Sequence, residues 1–219
     1  MADQLIFNFP KKKNYLSEDY YVSSSNQEVY NFINSWPKWI KRICNIYGPK
    51  GSGKTHLTSL LRQKTSTLMI QCNSLNDKTF FDFKTREALI IEDLNEKVSE
   101  KLLFSLWNFA LQDNKYLLIT SAKPINVYKF KLSDLRSRVK SCVNIGIKLP
   151  GDDLISVILS KNFSDKQIKV EKKHIDYIIK RIDRSYEKIS HFISILDKYS
   201  LKKSSPFSLK LIKEVLNMI

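Results

Sequence analysis

The chain has 219 residues, 42% of them hydrophobic and 27% charged, and this composition excludes a disordered or fibrous protein. Its 37 lysines and arginines outnumber its 22 acidic residues, giving a net charge of +15. Because this excess is spread along the chain, it predicts at most a weak, non-specific contact with DNA.

No apolar run approaches the roughly 18 residues that span a bilayer, so we expect no membrane partner. The apolar residues at the start of the chain precede its first lysines, which is the reverse of the order in a secretory signal. Three widely separated cysteines favour buried, free thiols over a disulfide scaffold or a zinc site. These features together predict a cytoplasmic protein.

The first part of the chain predicts a tail followed by one helix. Residues 1–13 form the tail, which has an apolar centre and ends in a run of lysines. Further on, Ser23–Ser25 and Asn26 offer an N-cap to the amphipathic stretch Gln27–Ile40.

From residue 43 onward, short apolar runs alternate with helical patterns such as Lys54–Lys64 and Ser99–Gln112. This alternation predicts an α/β fold in which helices cover both faces of a five-stranded parallel sheet. The predicted strands are Ile43–Tyr47, Thr67–Cys72, Ala88–Ile91, Tyr116–Thr120 and Cys142–Lys148.

The alternation stops near residue 150, and the segments beyond it predict helices only. The chain therefore divides into a tail (1–13), an α/β domain (14–150) and a small helical domain (151–219). In the last helix Ser205 is the expected cap and Pro206 takes the first helical position. The predicted C-terminal helices are Asp152–Ser160, Lys172–Arg181, Tyr186–Tyr199 and Phe207–Ile219.

The segment GPKGSGKT matches the pattern of a phosphate-binding loop, and it lies between a predicted strand and a predicted helix as that pattern requires. Its glycines let the backbone N–H groups face one anionic centre, and the following helix adds its positive N-terminal end. A lysine and a hydroxyl at the end of the motif suit the β- and γ-phosphates and Mg²⁺. We assign the nucleotide to Gly48, Pro49, Lys50, Gly51, Ser52, Gly53, Lys54 and Thr55.

Two carboxylates, Glu92 and Asp93, end the predicted strand ALII, at the sheet edge where parallel α/β sheets bind ligands. One of them would hold Mg²⁺ through water, and the other would orient the attacking water. We expect Thr55 and Glu92 to be the metal residues. Because Asp is usual at the position of Glu92, the longer side chain predicts weak hydrolysis.

Another core strand, YLLIT, ends in polar hydroxyls. In many phosphate-loop ATPases such a strand lies between the other two and its polar tip senses the γ-phosphate. This makes Ser121 a candidate nucleotide contact, and an ordinary turn at the strand end is the alternative.

Together these segments resemble the AAA+ ATPases of the DnaA/Hda family, and within it the short Hda-type regulators. The resemblance covers nearly the whole chain and rests on QLIFNF, GPKGSGKT, LIIED, LLITSAKP, LSDLRSRV and KRIDRSYEKISHFISILDKYS. It implies an AAA+ domain followed by a helical lid, with ADP or ATP and Mg²⁺ as ligands. No segment corresponds to the DNA-binding domain or the N-terminal oligomerisation domain of DnaA.

The segment QLIFNF resembles the peptide with which Hda-type proteins bind the DNA polymerase sliding clamp. By that resemblance the partner-binding residues are Gln4, Leu5, Phe7 and Phe9. Gln4 would form hydrogen bonds in a small polar pocket, and the apolar side chains would be buried in the groove. A tail packed on its own domain is the alternative.

The segment LSDLRSRV resembles the part of the family that presents an arginine finger to a neighbouring subunit. Arg138 matches the finger, and surface salt bridges are the alternative for both arginines of the segment. The lid of DnaA proteins carries a sensor arginine, and its position falls on Glu187 here. Arg184 lies close by and is the candidate substitute.

The resemblance implies a regulator of chromosomal replication initiation. Bound to nucleotide and docked on the clamp, it would stimulate hydrolysis of the ATP held by DnaA and so prevent re-initiation. Two alternatives stay open, a DnaA-like ATPase or helicase loader that acts in its own oligomer, and a nucleotide-gated anchoring module. The sequence also leaves pairing with a second copy of the chain open.

Overall fold

The computed structural model describes residues 19–165, 168, 170–203 and 208–219. The predicted tail with its clamp-binding residues Gln4, Leu5, Phe7 and Phe9 lies outside these ranges, as do Ser205 and Pro206.

The predicted parallel sheet of five strands, flanked by helices on both faces, is confirmed. The strand order is β2-β3-β4-β1-β5, and all four neighbouring pairs are parallel. Every predicted strand is present, with ends that shift by up to three residues. The strands are β1 Ile43–Tyr47, β2 Thr67–Gln71, β3 Ala88–Leu94, β4 Tyr116–Ser121 and β5 Val143–Gly146.

The sheet is buried on both faces because its central strands are apolar at successive positions. In β3, Leu89 and Ile91 belong to the core on one face, whereas Ile90 belongs to the core on the other. Adjacent residues of a strand point to opposite faces, so a continuous apolar run is what a sheet covered on both sides requires. All three cysteines are buried and free, as predicted.

Helices alternate with the strands and run back from the ends of the strands to their beginnings. The first helix begins at Gln27, so Asn26 takes the N-cap position as predicted. Its side chain does not cap the helix, because it accepts a hydrogen bond from the Ser23 N–H at 2.8 Å. The helix ends at Asn34, short of the predicted Ile40, because Pro37 cannot continue a helix. The five helices are α1 Gln27–Asn34, α2 Lys54–Arg62, α3 Asp77–Lys84, α4 Glu100–Gln112 and α5 Ser133–Lys140.

The helices after residue 151 pack around a core of their own. The last one begins at Leu209 with Ser208 as its N-cap, because the Ser208 hydroxyl accepts a hydrogen bond from the Leu211 N–H; the predicted start near Ser205 is therefore wrong. In the part of the chain described, no helix is long and apolar enough to cross a membrane. These helices are α6 Asp152–Asp165, α7 Lys172–Ile179, α8 Tyr186–Lys203 and α9 Leu209–Leu216.

Candidate functional site

The loop from Gly48 to Thr55 joins the end of β1 to the first turn of α2. Gly51 and Gly53 have φ angles of +80° and +89°, in the left-handed region that is strained for other residues. The Gly48 N–H donates to the carbonyl oxygen of Ser121 at 3.1 Å, which ties the loop to the end of β4. A loop curled in this way, placed at a helix N-terminus, forms an anion-binding concavity.

Two tyrosines from distant parts of the chain pack against this loop. A Cβ atom at Gly53 would lie 3.1 Å from the ring of Tyr20, and one at Gly51 would lie 3.3 Å from the Cβ of Tyr186. The Tyr186 hydroxyl donates to the carbonyl oxygen of Lys148 at 3.1 Å. The loop therefore lies between the segment before α1 and the start of α8. Sequence reasoning missed both tyrosines, because no motif marks Tyr20, and Tyr186, although next to Glu187, was interpreted only as the start of a helix.

Lys54 is the buried cation of the loop. Its Nζ donates to the carbonyl oxygens of Gly48 at 2.9 Å and Pro49 at 3.0 Å. Burial lowers the pKa of the Lys54 ammonium, and the carboxylates of Asp93 and Glu92 oppose that shift. A phosphate beside Nζ would supply the negative charge that the two neutral carbonyls lack.

An open cavity of about 560 Å³ lies over the loop. The Ser52 hydroxyl is buried there and has no hydrogen-bond partner among the described residues, a state that an anion oxygen would relieve. Sequence reasoning did not single out His56 and Asn95 as part of this site, although His56 directly follows the loop motif. The lining residues are Lys50, Gly51, Ser52, Gly53, Lys54, Thr55, His56, Asp93, Leu94, Asn95 and Ala122.

The two carboxylates at the end of β3 have different surroundings. Glu92 is buried, and its carboxylate accepts hydrogen bonds from Thr58 Oγ1 at 3.3 Å and Gln71 Nε2 at 2.9 Å. Asp93 is exposed and lines the cavity, whereas Glu92 does not. The Asp93 backbone has a φ of +53°, and its N–H donates to Thr120 Oγ1 at 3.0 Å.

Of the groups predicted to hold a metal, Thr55 lines the cavity and Glu92 lies behind it. No cluster of three or more His, Cys, Asp or Glu side chains that could hold a metal occurs among the described residues. Mg²⁺ does not require such a cluster, because it keeps several of its waters and binds through one or two protein groups and the phosphates of a nucleotide. Thr55 and Asp93 both line the cavity.

Ser121 is buried, and its hydroxyl belongs to an internal network. It donates to the carbonyl oxygen of Lys123 at 2.7 Å and accepts from Asn45 Nδ2 at 2.8 Å. It does not line the cavity, whereas the next residue, Ala122, does. Ser121 thus contacts the loop through its carbonyl oxygen, which accepts the bond from Gly48.

The start of α8 brings the predicted lid residues close to the loop. Glu187 forms an exposed ion pair with Lys50 at 3.6 Å. Arg184 forms an ion pair with Asp152 at 2.9 Å, at the start of α6, and does not line the cavity. Glu187 therefore contacts the loop, while Arg184 contacts the start of α6.

Arg138 lies in the last turn of α5, on the exposed side of the helix. It does not line the cavity, and none of the ion pairs found within the described ranges involves it.

Comparison with solved structures identifies the fold as that of the AAA+ domain of DnaA. Domain III of the Thermotoga maritima replication initiation protein DnaA matches 95% of this chain and 98% of that chain, with a TM-score of 0.76 and 18% identity. AMPPCP-bound DnaA from Aquifex aeolicus matches 84% of this chain and 65% of that chain, with a TM-score of 0.67 and 16% identity.

Sequence comparison finds the same kind of relative. The chromosomal replication initiator DnaA of Borreliella afzelii is 25% identical over 215 residues, which is 86% of this chain and 44% of that protein. The DnaA of Borrelia duttonii is 27% identical over 199 residues, 78% of this chain and 41% of that protein. This chain thus spans less than half of those relatives' length. No protein-family model matches it.

We predict that the two carboxylates differ in what they contribute to stability. Glu92→Ala removes a buried carboxylate and its charge-assisted hydrogen bonds to Thr58 and Gln71, and should lower the free energy of unfolding by ~1–3 kcal/mol. Asn tolerates the positive φ of this position, so Asp93→Asn should change the free energy of unfolding by less than ~0.5 kcal/mol. Urea denaturation measures both, and an unaltered Glu92→Ala midpoint would contradict the assignment.

Proposed function

We propose that this chain, which carries a DnaA-like AAA+ domain, is a nucleotide-binding regulator of chromosomal replication initiation of the Hda type. In this proposal it binds ADP or ATP, docks on the sliding clamp and stimulates hydrolysis of the ATP held by DnaA. The observation that carries the proposal is the loop at Gly48–Thr55 with its buried lysine and its unpartnered serine hydroxyl. The same chain also carries Arg138, whose side chain is exposed and does not line the cavity.

The nucleotide part of the proposal follows from the charge balance of the cavity. The loop offers backbone N–H groups, the Ser52 hydroxyl and the Lys54 ammonium to phosphate oxygens. Mg²⁺ beside Thr55 and Asp93 would neutralise further phosphate charge. Glu92 is already engaged with Thr58 and Gln71, which supports weak hydrolysis by this chain itself.

The contact between the loop and α8 supports a role of the nucleotide in setting the lid. Lys50 pairs with Glu187, and Tyr186 packs against Gly51, so phosphates that draw Lys50 inward would weaken the ion pair. The Glu187 carboxylate near the loop also disfavours the additional negative charge of the γ-phosphate. This favours ADP over ATP as the retained ligand.

Arg138 is the residue that we propose to act on DnaA. As the γ-phosphate of DnaA-bound ATP is attacked by water and the bond to the β,γ-bridging oxygen breaks, the leaving ADP and the phosphoryl oxygens gain negative charge. The Arg138 guanidinium would stabilise this charge, an effect worth about 10³–10⁵ in rate for arginine fingers. Its exposure and its position outside the cavity of its own chain support this role.

The same arginine favours a second candidate, an ATPase that works in an oligomer of its own kind. In such an oligomer Arg138 of one copy would complete the loop site of the next. This candidate predicts ATP turnover by the isolated protein that rises with its concentration, whereas the regulator is nearly silent without DnaA–ATP and a clamp loaded on DNA. An anchoring module would bind the same partners and leave the hydrolysis by DnaA unchanged.

Our first prediction for this function concerns nucleotide binding. Lys54→Ala removes the cation of the loop and should weaken ADP and ATP binding by about 10- to 100-fold, the worth of a charge-assisted hydrogen bond. Lys101→Ala, an equal charge change at an exposed position of α4, should leave binding unaltered. Isothermal calorimetry measures both, and no binding by the unmodified protein would overturn the proposal.

A second prediction separates the two arginines of α5. Arg138→Ala should retain nucleotide and clamp binding but lose the stimulation of ATP hydrolysis by DnaA. Arg136→Ala, at another exposed position of the same helix, should keep it. The assay follows phosphate release from DnaA–ATP with a DNA-loaded clamp, and full stimulation by Arg138→Ala would exclude it as the finger.

A third prediction concerns the tail. Gln4→Ala combined with Leu5→Ala should weaken clamp binding in surface plasmon resonance by about tenfold or more, since the pair supplies one polar anchor and one apolar anchor. The melting temperature should not change. A marked fall in melting temperature together with unaltered clamp affinity would instead assign the tail to packing on its own domain.

A further inference from the structure

A row of basic residues precedes the strands at the edge where the sheet begins. We call it the strand-start edge and define it by the cations that come one to three positions before each strand. Across the sheet from β2 to β5 they are Lys64, Arg86, Lys115, Arg42 with Lys41, and Lys140.

The backbone hydrogen bonds show that β2, β3, β4 and β1 begin side by side. The Ala88 N–H donates to the carbonyl oxygen of Ser66, the Tyr116 N–H to that of Glu87 and the Leu117 N–H to that of Arg42, at 2.9–3.2 Å. Parallel strands lie ~4.8 Å apart, so the row extends over about 19 Å.

The charge of this edge is largely uncompensated. None of the ion pairs found in the described part of the chain involves one of its cations. Lys41 donates to the carbonyl oxygen of Ser141 and Lys115 to that of Arg86, both at 2.7 Å, and such bonds leave the positive charge in place. The acidic residues within two sequence positions of a member of this row are Glu87 and Asp113, and the Glu87 carboxylate accepts a hydrogen bond from the Thr65 hydroxyl.

This edge is separate from the nucleotide cavity. The cavity lies where β1 and β3 end, and at ~3.3 Å per residue the strands place the two edges some 13–20 Å apart. The lysines that looked scattered in the sequence are thus partly gathered here, because a parallel sheet brings the beginnings of all its strands to one edge.

We propose that the strand-start edge binds the phosphate backbone of double-stranded DNA without reading its sequence. B-form DNA carries one negative charge per ~1.7 Å of its axis, so a row of this length faces several phosphates at once. The proposal does not rest on nucleotide binding. The composition predicted a non-specific DNA contact without locating it, and the proposal assigns that contact to this edge.

The aromatic rings near this edge favour duplex over single-stranded DNA. Binding of single strands uses free rings on which bases stack. Here Trp36 packs on Tyr116 with ring centroids 4.2 Å apart, and the Arg42 guanidinium lies 4.9 Å from the centre of the Tyr116 ring. The exposed ring of Phe81 has the Lys84 ammonium 5.6 Å from its centre.

The test uses a triple variant that neutralises three exposed members of the row lying outside the last turns of helices. Its substitutions are Lys41→Gln, Lys64→Gln and Arg86→Gln. The matched control is Lys172→Gln, Lys180→Gln and Lys198→Gln, three exposed lysines of α7 and α8 with the same total charge change. Anisotropy of a labelled 20-base-pair duplex of mixed sequence gives the affinity of each protein between 50 and 200 mM salt, and thermal melting confirms that each is folded.

We expect the edge variant to lose about tenfold or more in affinity, and its salt dependence to fall by about 0.9 for each phosphate contact removed. The control should bind like the unmodified protein, and so should Lys54→Ala, which tests the nucleotide site separately. Equal losses in both triple variants, or no DNA binding by the unmodified protein, would overturn the proposal. So would binding to phosphatidylserine vesicles without binding to DNA, because Ile40 and Leu111 are exposed on the same edge.

Discussion

The site depends on one constraint, the left-handed backbone at Gly51 and Gly53 between a buried strand and a helix N-terminus. This curl is what brings the backbone N–H groups of the loop to one centre, and it is held from outside by the bond from Gly48 to the end of β4. The loop therefore has its shape only while β1 and β4 stay in register. The site also depends on an anion beside Lys54, because burying an ammonium group without a nearby negative charge costs free energy.

The separation of the two carboxylates follows from an irregularity at the end of β3. The register with β4 shifts between Ile91 and Leu94, and Asp93 takes a positive φ at the shift. Such a bulge redirects a side chain, so two adjacent acids end in different environments. The Glu92 carboxylate accepts hydrogen bonds from Thr58 and Gln71, whereas Asp93 lines the cavity. The expectation that Glu92 holds the metal rests on sequence position, whereas Asp93 is the carboxylate that lines the cavity.

The sequence predicted features that depend on neighbours in the chain, and it missed those that depend on distant ones. Apolar runs located every strand, and the loop motif with its flanking strand and helix located the loop that lines the cavity. The roles of Tyr20, Gln71 and Tyr186 could not be predicted, because each contacts its partner only after the sheet and the α8 helix are assembled. The start of α9 was misplaced because several serines precede it, and which one caps is decided by the Ser208 bond to Leu211.

The cations of the strand-start edge also have a role in the helices. Helices that alternate with parallel strands end at this edge, and a cation in a last turn interacts favourably with the helix dipole, by ~0.3–1 kcal/mol. Lys140 is such a residue, and Arg62 and Lys84, which are not members of the strand-start edge, lie in the last turns of α2 and α3. Lys41 donates to the carbonyl oxygen of Ser141, the C-cap of α5, and Arg86 follows the C-cap of α3, so these two cations also lie at helix C-termini. Because partial charges and neutral carbonyl oxygens do not cancel a full positive charge, the same cations can also face an external polyanion.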